Sequence, residues 1–245
     1  MNPYLSIIIP IYNGGPEIDE NIRAVLGYVD GKDFATEVIL VNDGSTDSTA
    51  ESLARVKDGR VVVVDNGRNR GKGYSVRNGM LKATGRYRIF FDADLAYPVE
   101  QTDNLLKLLE EGADISIGSR VHSESRFIVH CFDLKYVVRR YIMSRVFNFF
   151  LRRTLLHDIK DSQSGFKGFT AEAAESVFSR QTSEDFSFDL EILFIAQKKG
   201  FIVREVPVTQ VFHGEPSSVS FFRDSTSMLV TIARVWYNYL AGRYK

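Results

Sequence analysis

Short apolar runs recur along the first half of the chain, each followed by a stretch of helical periodicity. Leu5-Ser6-Ile7-Ile8-Ile9-Pro10-Ile11 is rich in β-branched residues and stops at the turn Asn13-Gly14-Gly15-Pro16. A helix is predicted over about residues 17–28. Glu37-Val38-Ile39-Leu40-Val41 reads as a second strand, closed by Asn42-Asp43-Gly44-Ser45, with a helix after it over about residues 48–56. Val61-Val62-Val63-Val64 is a third strand, and a helix over about residues 74–83 follows a Gly/Arg/Asn loop. Arg88-Ile89-Phe90-Phe91 is a fourth strand, ending in Asp92-Ala93-Asp94. A helix over 101–111 and the strand Asp114-Ile115-Ser116-Ile117 complete the series. Continuously apolar strands alternating with helices predict βαβ units: an α/β, Rossmann-like, mostly parallel sheet with helices on both faces.

The second half has another character. Residues 127–156 are rich in aromatics and arginines, and Arg126, Lys135, Arg139, Arg140, Arg145, Arg152 and Arg153 face only Glu124 and Asp133 nearby. A compact segment at 161–169 leads to a helix over about 189–199 and a strand over 202–208. In the last 25 residues, Met228, Leu229, Val230, Ile232, Val235, Trp236 and Tyr239 fall at roughly helical spacing. The expected organisation is one domain over 1–210, including a basic and aromatic segment at 121–157, with residues 211–245 as an amphipathic helical extension of it.

Composition narrows the function. The 245 residues carry 31 Lys and Arg against 31 Asp and Glu, which argues against a dedicated nucleic-acid binder. The single Cys131 excludes an intramolecular disulfide and a cysteine zinc site, and fits a reducing compartment. His122, His130, His157 and His213 have no metal-ligand spacing, and no Gly-x-Ser-x-Gly elbow is present. No window approaches the roughly 18 apolar residues of a membrane span, and the amino-terminal residues read without a signal peptide.

The chemistry gathers where strands end. In an open parallel sheet, ligands bind beyond the carboxyl ends of strands. Three such ends carry polar groups: Tyr12-Asn13, Asp43-Gly44-Ser45 and Asp92-Ala93-Asp94. Asp43 alone reads equally as a helix cap or an Asx-turn. Asp92 and Asp94 are carboxylates two residues apart that repel unless a cation lies near, and hard oxygen ligands suit Mg²⁺ or Mn²⁺ held together with substrate phosphates. The loop Asn66-Gly67-Arg68-Asn69-Arg70-Gly71-Lys72-Gly73 is basic, glycine-rich and precedes a helix, as a phosphate site would. It departs from both the P-loop and the dinucleotide fingerprint, and by itself also reads as a solvated basic loop.

Taken in order, these motifs resemble the inverting family-two glycosyltransferases of GT-A fold, most closely the polyprenyl- and dolichyl-phosphate hexosyltransferases. The resemblance rests on Pro10-Ile11-Tyr12-Asn13, Asp43-Gly44-Ser45-Thr46-Asp47, the glycine and lysine loop and Asp92-Ala93-Asp94. It continues through Ile117-Gly118-Ser119-Arg120, residues 161–167, Phe188-Asp189-Leu190-Glu191 and Glu205-Val206-Pro207-Val208. It implies transfer of a hexose, on a UDP-glucose-like donor, to a polyprenyl phosphate with inversion. Pro10, Tyr12, Asn13 and Asp43 would hold the nucleoside, Lys72 the diphosphate, and Asp92, Ala93 and Asp94 the ribose and metal side. Asp92 and Asp94 would be the ligands of Mg²⁺ or Mn²⁺. Arg120, with Arg140 and Ser144, would face the acceptor phosphate, and Gly165, Phe166 and Lys167 would shape the sugar pocket. Asp94, Arg120 and Asp185 are the catalytic candidates; Asp185, with its neighbour Glu184, would be a general base only for a hydroxyl acceptor. Gly14 stands where relatives often have Glu, and Ala96 where mannosyl-type members place a Gln, which favours the glucosyl branch.

Two alternatives follow: an enzyme extending a glycan hydroxyl and, more remotely, a non-catalytic nucleotide-sugar-binding protein. The expected partners are the donor, the lipid phosphate and a membrane surface, with room for a homo-oligomer and none for nucleic acid. The expected location is peripheral, on the cytoplasmic face of a membrane.

Overall fold

The computed structural model describes residues 2–129, 155–156, 158–212 and 221–244. Strands β1 (Leu5–Ile11), β2 (Thr36–Asn42), β3 (Val61–Asp65), β4 (Tyr87–Phe90) and β5 (Ile115–Ser119) alternate with helices α1 (Ile18–Asp30), α2 (Thr49–Arg55), α3 (Lys72–Lys82) and α4 (Thr102–Glu110). A short strand β6 (Arg126–Val129) follows β5. Next come β7 (Lys167–Thr170), α5 (Ala171–Phe178), α6 (Phe188–Lys198), β8 (Val203–Pro207), β9 (Thr209–Phe212) and α7 (Phe221–Leu240).

Seven strands form one sheet in the order β3-β2-β1-β4-β7-β5-β8, while β6 and β9 pair in a separate parallel ribbon. β1 lies inside the sheet because both of its faces are apolar. Leu5, Ile7, Ile9 and Ile11 join the layer under α1 and α4, while Ile8 points into the layer holding α3, α5 and α6. In α1, Ile18, Ile22, Val25 and Val29 make the buried stripe that a 3.6-residue period requires.

The alternating elements of the first half form as the pattern predicts. Three features differ. β7 is antiparallel to both β4 and β5 and lies between them. Four residues containing a lysine and a glycine carry no apolar run to announce a central strand. Gly168 is needed there because a Cβ would lie 2.6 Å from Ser116 Oγ. β3 is an edge strand, so Val62 and Val63 are exposed although four consecutive valines read as a buried strand. The chain also leaves the main sheet at Val208 and continues as β9, running across residues 210 and 211. Gln101 pins that bend by donating to and accepting from the Thr209 backbone, both at 2.7 Å.

Candidate functional site

One edge of the sheet collects the carboxyl ends of β1, β2, β4, β5 and β8. Because β7 is reversed, its amino end arrives at the same edge, with Lys167 opposite Phe90 in register. That reversal sets Gly165 and Phe166 beside the Asp92-Ala93-Asp94 turn.

The β1 and β2 ends are laced together. Asn13 sits in the left-handed region at φ 50°, its N–H donates to Ser45 Oγ, and its side-chain oxygen accepts from the Thr46 N–H at 2.8 Å. Gly14 and Gly15 donate to Thr49 Oγ1 and Asp47 Oδ2. Pro10 is half-buried at the strand end, and Tyr12 is exposed at the rim. Asp43 is buried, and its carboxylate accepts from Asn66 Nδ2 at 2.7 Å and from the N–H groups of Arg70 at 3.0 Å and Gly71 at 2.8 Å. Asp43 thus shapes the basic loop from below. Gly44 and Gly71 both have positive φ, and at each a Cβ would meet backbone, of Arg68 and of Glu184 respectively. The loop therefore has one path, and it delivers Lys72 to the first turn of α3.

Lys72 Nζ meets Asp92 Oδ1 at 2.5 Å. Burial works to lower the Lys72 pKa, but Asp92, Asp189 and Asp94 outweigh it, and the net shift is upward. The ammonium stays charged at neutral pH. Asp92, Ala93 and Asp94 form a turn closed by Leu95 N–H on Asp92 O, with Leu95 at φ 48°. Asp94 is exposed and accepts from the Ala96 N–H, and Ala93 O accepts from Asn21 Nδ2. Gly165 packs on Asp92 so closely that a Cβ would collide with the carboxylate and lie 3.2 Å from Lys72 Nζ. Phe166 is buried and stacks on Tyr97, with ring centroids 5.2 Å apart.

Arg120 grips Asp161 in a fork. Its backbone N–H and Nε donate to Oδ2 at 2.8 Å, and Nη2 donates to Oδ1 at 2.7 Å. Asp161 is fully buried; burial pushes its pKa up, and Arg120 more than reverses this, holding it below the usual carboxylate value. Two of the guanidinium's five donors are spent in that fork. Lys167 is fully buried, and its ammonium donates to Ser164 O and to Asp189 Oδ1. It lies behind the pocket wall instead of lining it. Burial weighs on the charged form of each partner, raising Asp189 and lowering Lys167.

The two acids offered as a base are engaged. Glu184 pairs with Arg70 at 2.8 Å, and the exposed Asp185 accepts from the Ser187 N–H and hydroxyl ahead of α6. Glu191 is fully buried and accepts from Thr182, Ser183 and Tyr244, tying the 181–183 strip to the carboxyl-terminal segment. Arg140 and Ser144 lie outside the described residues. The structure thus brings Lys72, Asp92, Gly165 and Phe166 together, with Asp94 on the adjoining turn. Residue patterns did not single out Tyr97, and nothing in its surroundings in sequence marks it. Asp161 opens a quoted motif, but its partner lies 41 residues away.

Asp92 and Asp94 fit a divalent ion by their chemistry. Both are hard oxygen donors at an open strand end, and Asp92 is already held against a cation. Among the described residues no group of three or more His, Cys, Asp or Glu is gathered as a metal cage. Two carboxylates suit Mg²⁺ or Mn²⁺ completed by phosphate oxygens and water.

The family description "Glycosyl transferase family 2" matches residues 6–178. A dolichyl-phosphate β-glucosyltransferase of Dictyostelium discoideum is 31% identical over 100% of this chain and 77% of its own length. The Drosophila melanogaster protein of the same name is 32% identical over 98% of this chain and 77% of its own. Among solved structures, glucosyl-3-phosphoglycerate synthase from Mycobacterium tuberculosis, in complex with Mn²⁺, UDP and glucosyl-3-phosphoglycerate, superposes with a TM-score of 0.67 at 16% identity. That match covers 95% of this chain and 80% of the other. A mannosyltransferase from Pyrobaculum calidifontis, in complex with GDP-Man and Mn²⁺, gives 0.61 at 19% identity, over 95% and 63% of the two chains. The fold is that of the GT-A glycosyltransferases.

Proposed function

The chain belongs to glycosyl transferase family 2, and on that premise we propose that it transfers glucose from UDP-glucose to a dolichyl-type polyprenyl phosphate, with inversion. The relatives' names support glucose and dolichyl phosphate, and the UDP in the complex of the solved glucosyl-3-phosphoglycerate synthase supports the nucleotide. The observation that carries the acceptor class is the dolichyl phosphate named for relatives 31% and 32% identical over nearly the whole chain, and the local partners of Glu184 (Arg70) and Asp185 (Ser187) are in keeping with it. A hydroxyl acceptor needs a base, whereas a phosphate monoester, with its second pKa of about 6, is largely dianionic at neutral pH.

An oxygen of the acceptor phosphate attacks the anomeric carbon while the bond from that carbon to the donor diphosphate breaks. The bonding pair leaves with the nucleoside diphosphate, and the attack from the opposite face inverts the centre. Asp43 and the glycine loop fix Lys72, whose ammonium neutralises diphosphate charge. Gly165 closes the sugar side, with the buried Phe166 packed behind it, and the Asp161-anchored Arg120 presents its remaining donors toward the acceptor. Asp92 and Asp94 would hold a divalent ion, which would supply charge neutralisation of the leaving group.

Asp185→Asn tests the acceptor class. The expected result is that most turnover with polyprenyl phosphate survives. A drop of about 10²–10⁴-fold would mark Asp185 as a base and promote the glycan-extending reading.

The acceptor lives in a bilayer, and among the described residues no helix is long and apolar enough to cross one. The outer face of α7 supports peripheral binding to a membrane surface. Val230, Tyr237 and Leu240 are exposed along it, beside Arg234, and the sequence after Asp224 contains no acid. Interfacial helices combine such apolar stripes with cations. Co-sedimentation with anionic vesicles at low ionic strength, weakened by added salt as screening requires, is expected. Equal solubility with and without vesicles would count against it.

A further inference from the structure

A lysine and an aspartate stand inside this protein where two apolar side chains would serve stability as well. Lys167 is fully buried at the start of β7, and its Nζ lies 2.5 Å from Asp189 Oδ1, itself buried in the first turn of α6. The ammonium also lies 5.7 Å from the centroid of Phe90. Replacing a buried ion pair with well-packed apolar residues is often neutral or stabilising. Fold stability therefore does not explain the pair, and what it touches does. The second bond of Lys167 goes to Ser164 O, the residue before Gly165. Gly165 is where the chain seats the Asp92 carboxylate and approaches Lys72.

We infer that Lys167 and Asp189 are positioning residues for the donor site. Their pair holds the 164–165 backbone so that Asp92 and Lys72 meet the donor diphosphate and its divalent ion in one geometry. Neither residue touches the donor. This rests on the nucleotide-sugar reading of the site and adds to it the parts that set its shape. The pair is neutral overall, so it adds order without adding net charge next to the diphosphate.

Wild type, Lys167→Met, Asp189→Asn and Lys167→Met/Asp189→Leu would be compared in thermal melting and in uptake of Mn²⁺ with UDP, read from the electron paramagnetic resonance of free Mn²⁺. Leu105→Ala serves as a control, because Leu105 is buried on the opposite face of the sheet. The expected result is an about 10–100-fold loss of Mn²⁺–UDP affinity in all three site variants, the usual range when a residue behind a metal site is removed. The double variant should lose affinity while melting close to wild type, and Leu105→Ala should melt lower with affinity intact. Folded variants that bind Mn²⁺–UDP like wild type would overturn the inference. Should Lys167→Met fail to fold, Asp189→Asn, nearly isosteric, decides by the same criterion. A wild-type protein that takes up Mn²⁺ with neither UDP nor GDP would instead overturn the underlying reading of the site.

Discussion

Asp94→Asn should abolish most turnover while leaving the protein as stable as before. Asp94 is exposed on the turn after β4, and its Oδ1 accepts from the Ala96 N–H, a bond an asparagine oxygen can keep. A surface change of this kind shifts stability by about 0.5 kcal/mol or less. The charge is another matter. A divalent ion that Asp92 and Asp94 would hold would contribute several kcal/mol of transition-state stabilisation, so loss of the Asp94 carboxylate should cost about 10²-fold or more in turnover. Excess chelator should reproduce that loss in the wild type, and Mg²⁺ or Mn²⁺ should restore it. Steady-state rates beside melting curves read both quantities. Full activity in chelator, or in the variant, would remove the metal from the account.

Asp161→Ala should produce a large loss of stability. Asp161 is fully buried, and its carboxylate receives three bonds from Arg120. Removing one partner of a buried pair costs about 3–5 kcal/mol, and the partial exposure of Arg120 places this case near the lower end. The pH dependence has a definite sign. The folded-state pKa of Asp161 is below the unfolded value, so its stabilisation is present above about pH 4 and is lost as pH falls further. Asp161→Asn should flatten that acid limb while perturbing packing less than alanine does. Chemical denaturation at pH 7 and across the acid range measures both effects. A variant with wild-type stability and an unchanged acid limb would contradict the assigned pair. Arg120, freed from its anchor, should also use the lipid phosphate poorly while the nucleotide still binds.

The sheet's first half was legible because its strands are buried on both faces. Runs such as Leu5 to Ile11 leave few other readings, and the acids after them mark the functional edge. Lys167 hid β7, since a lysine and a glycine in a four-residue strand look like surface until Asp189 and Ser116 are seen around them. The valines of β3 misled in the opposite sense, because being at the edge of a sheet is a property of topology. Thr170 did carry a local signal for α5: its hydroxyl caps the helix by accepting from Ala173 N–H ahead of an alanine-rich stretch. In the site, residue types and order singled out Asp43, Lys72 and Asp92, but not the contacts each makes. Asp43 accepts three bonds from the basic loop, and Lys167 is fully buried against Ser164 O and Asp189. Both arrangements depend on partners distant in sequence, which spacing alone does not supply. Asp185 is the reverse case, since Ser187, two residues on, suffices to engage it.

The central claim is that a lipid phosphate receives the sugar. The most direct measurement incubates the protein with Mg²⁺, polyprenyl phosphate and radiolabelled UDP-glucose, GDP-mannose or UDP-N-acetylglucosamine in parallel, then extracts with organic solvent. Label is expected in the organic phase from UDP-glucose, dependent on both lipid phosphate and metal, and released as glucose by mild acid. Label that stays in the aqueous phase with every donor, while a sugar hydroxyl acceptor becomes glycosylated, would contradict it.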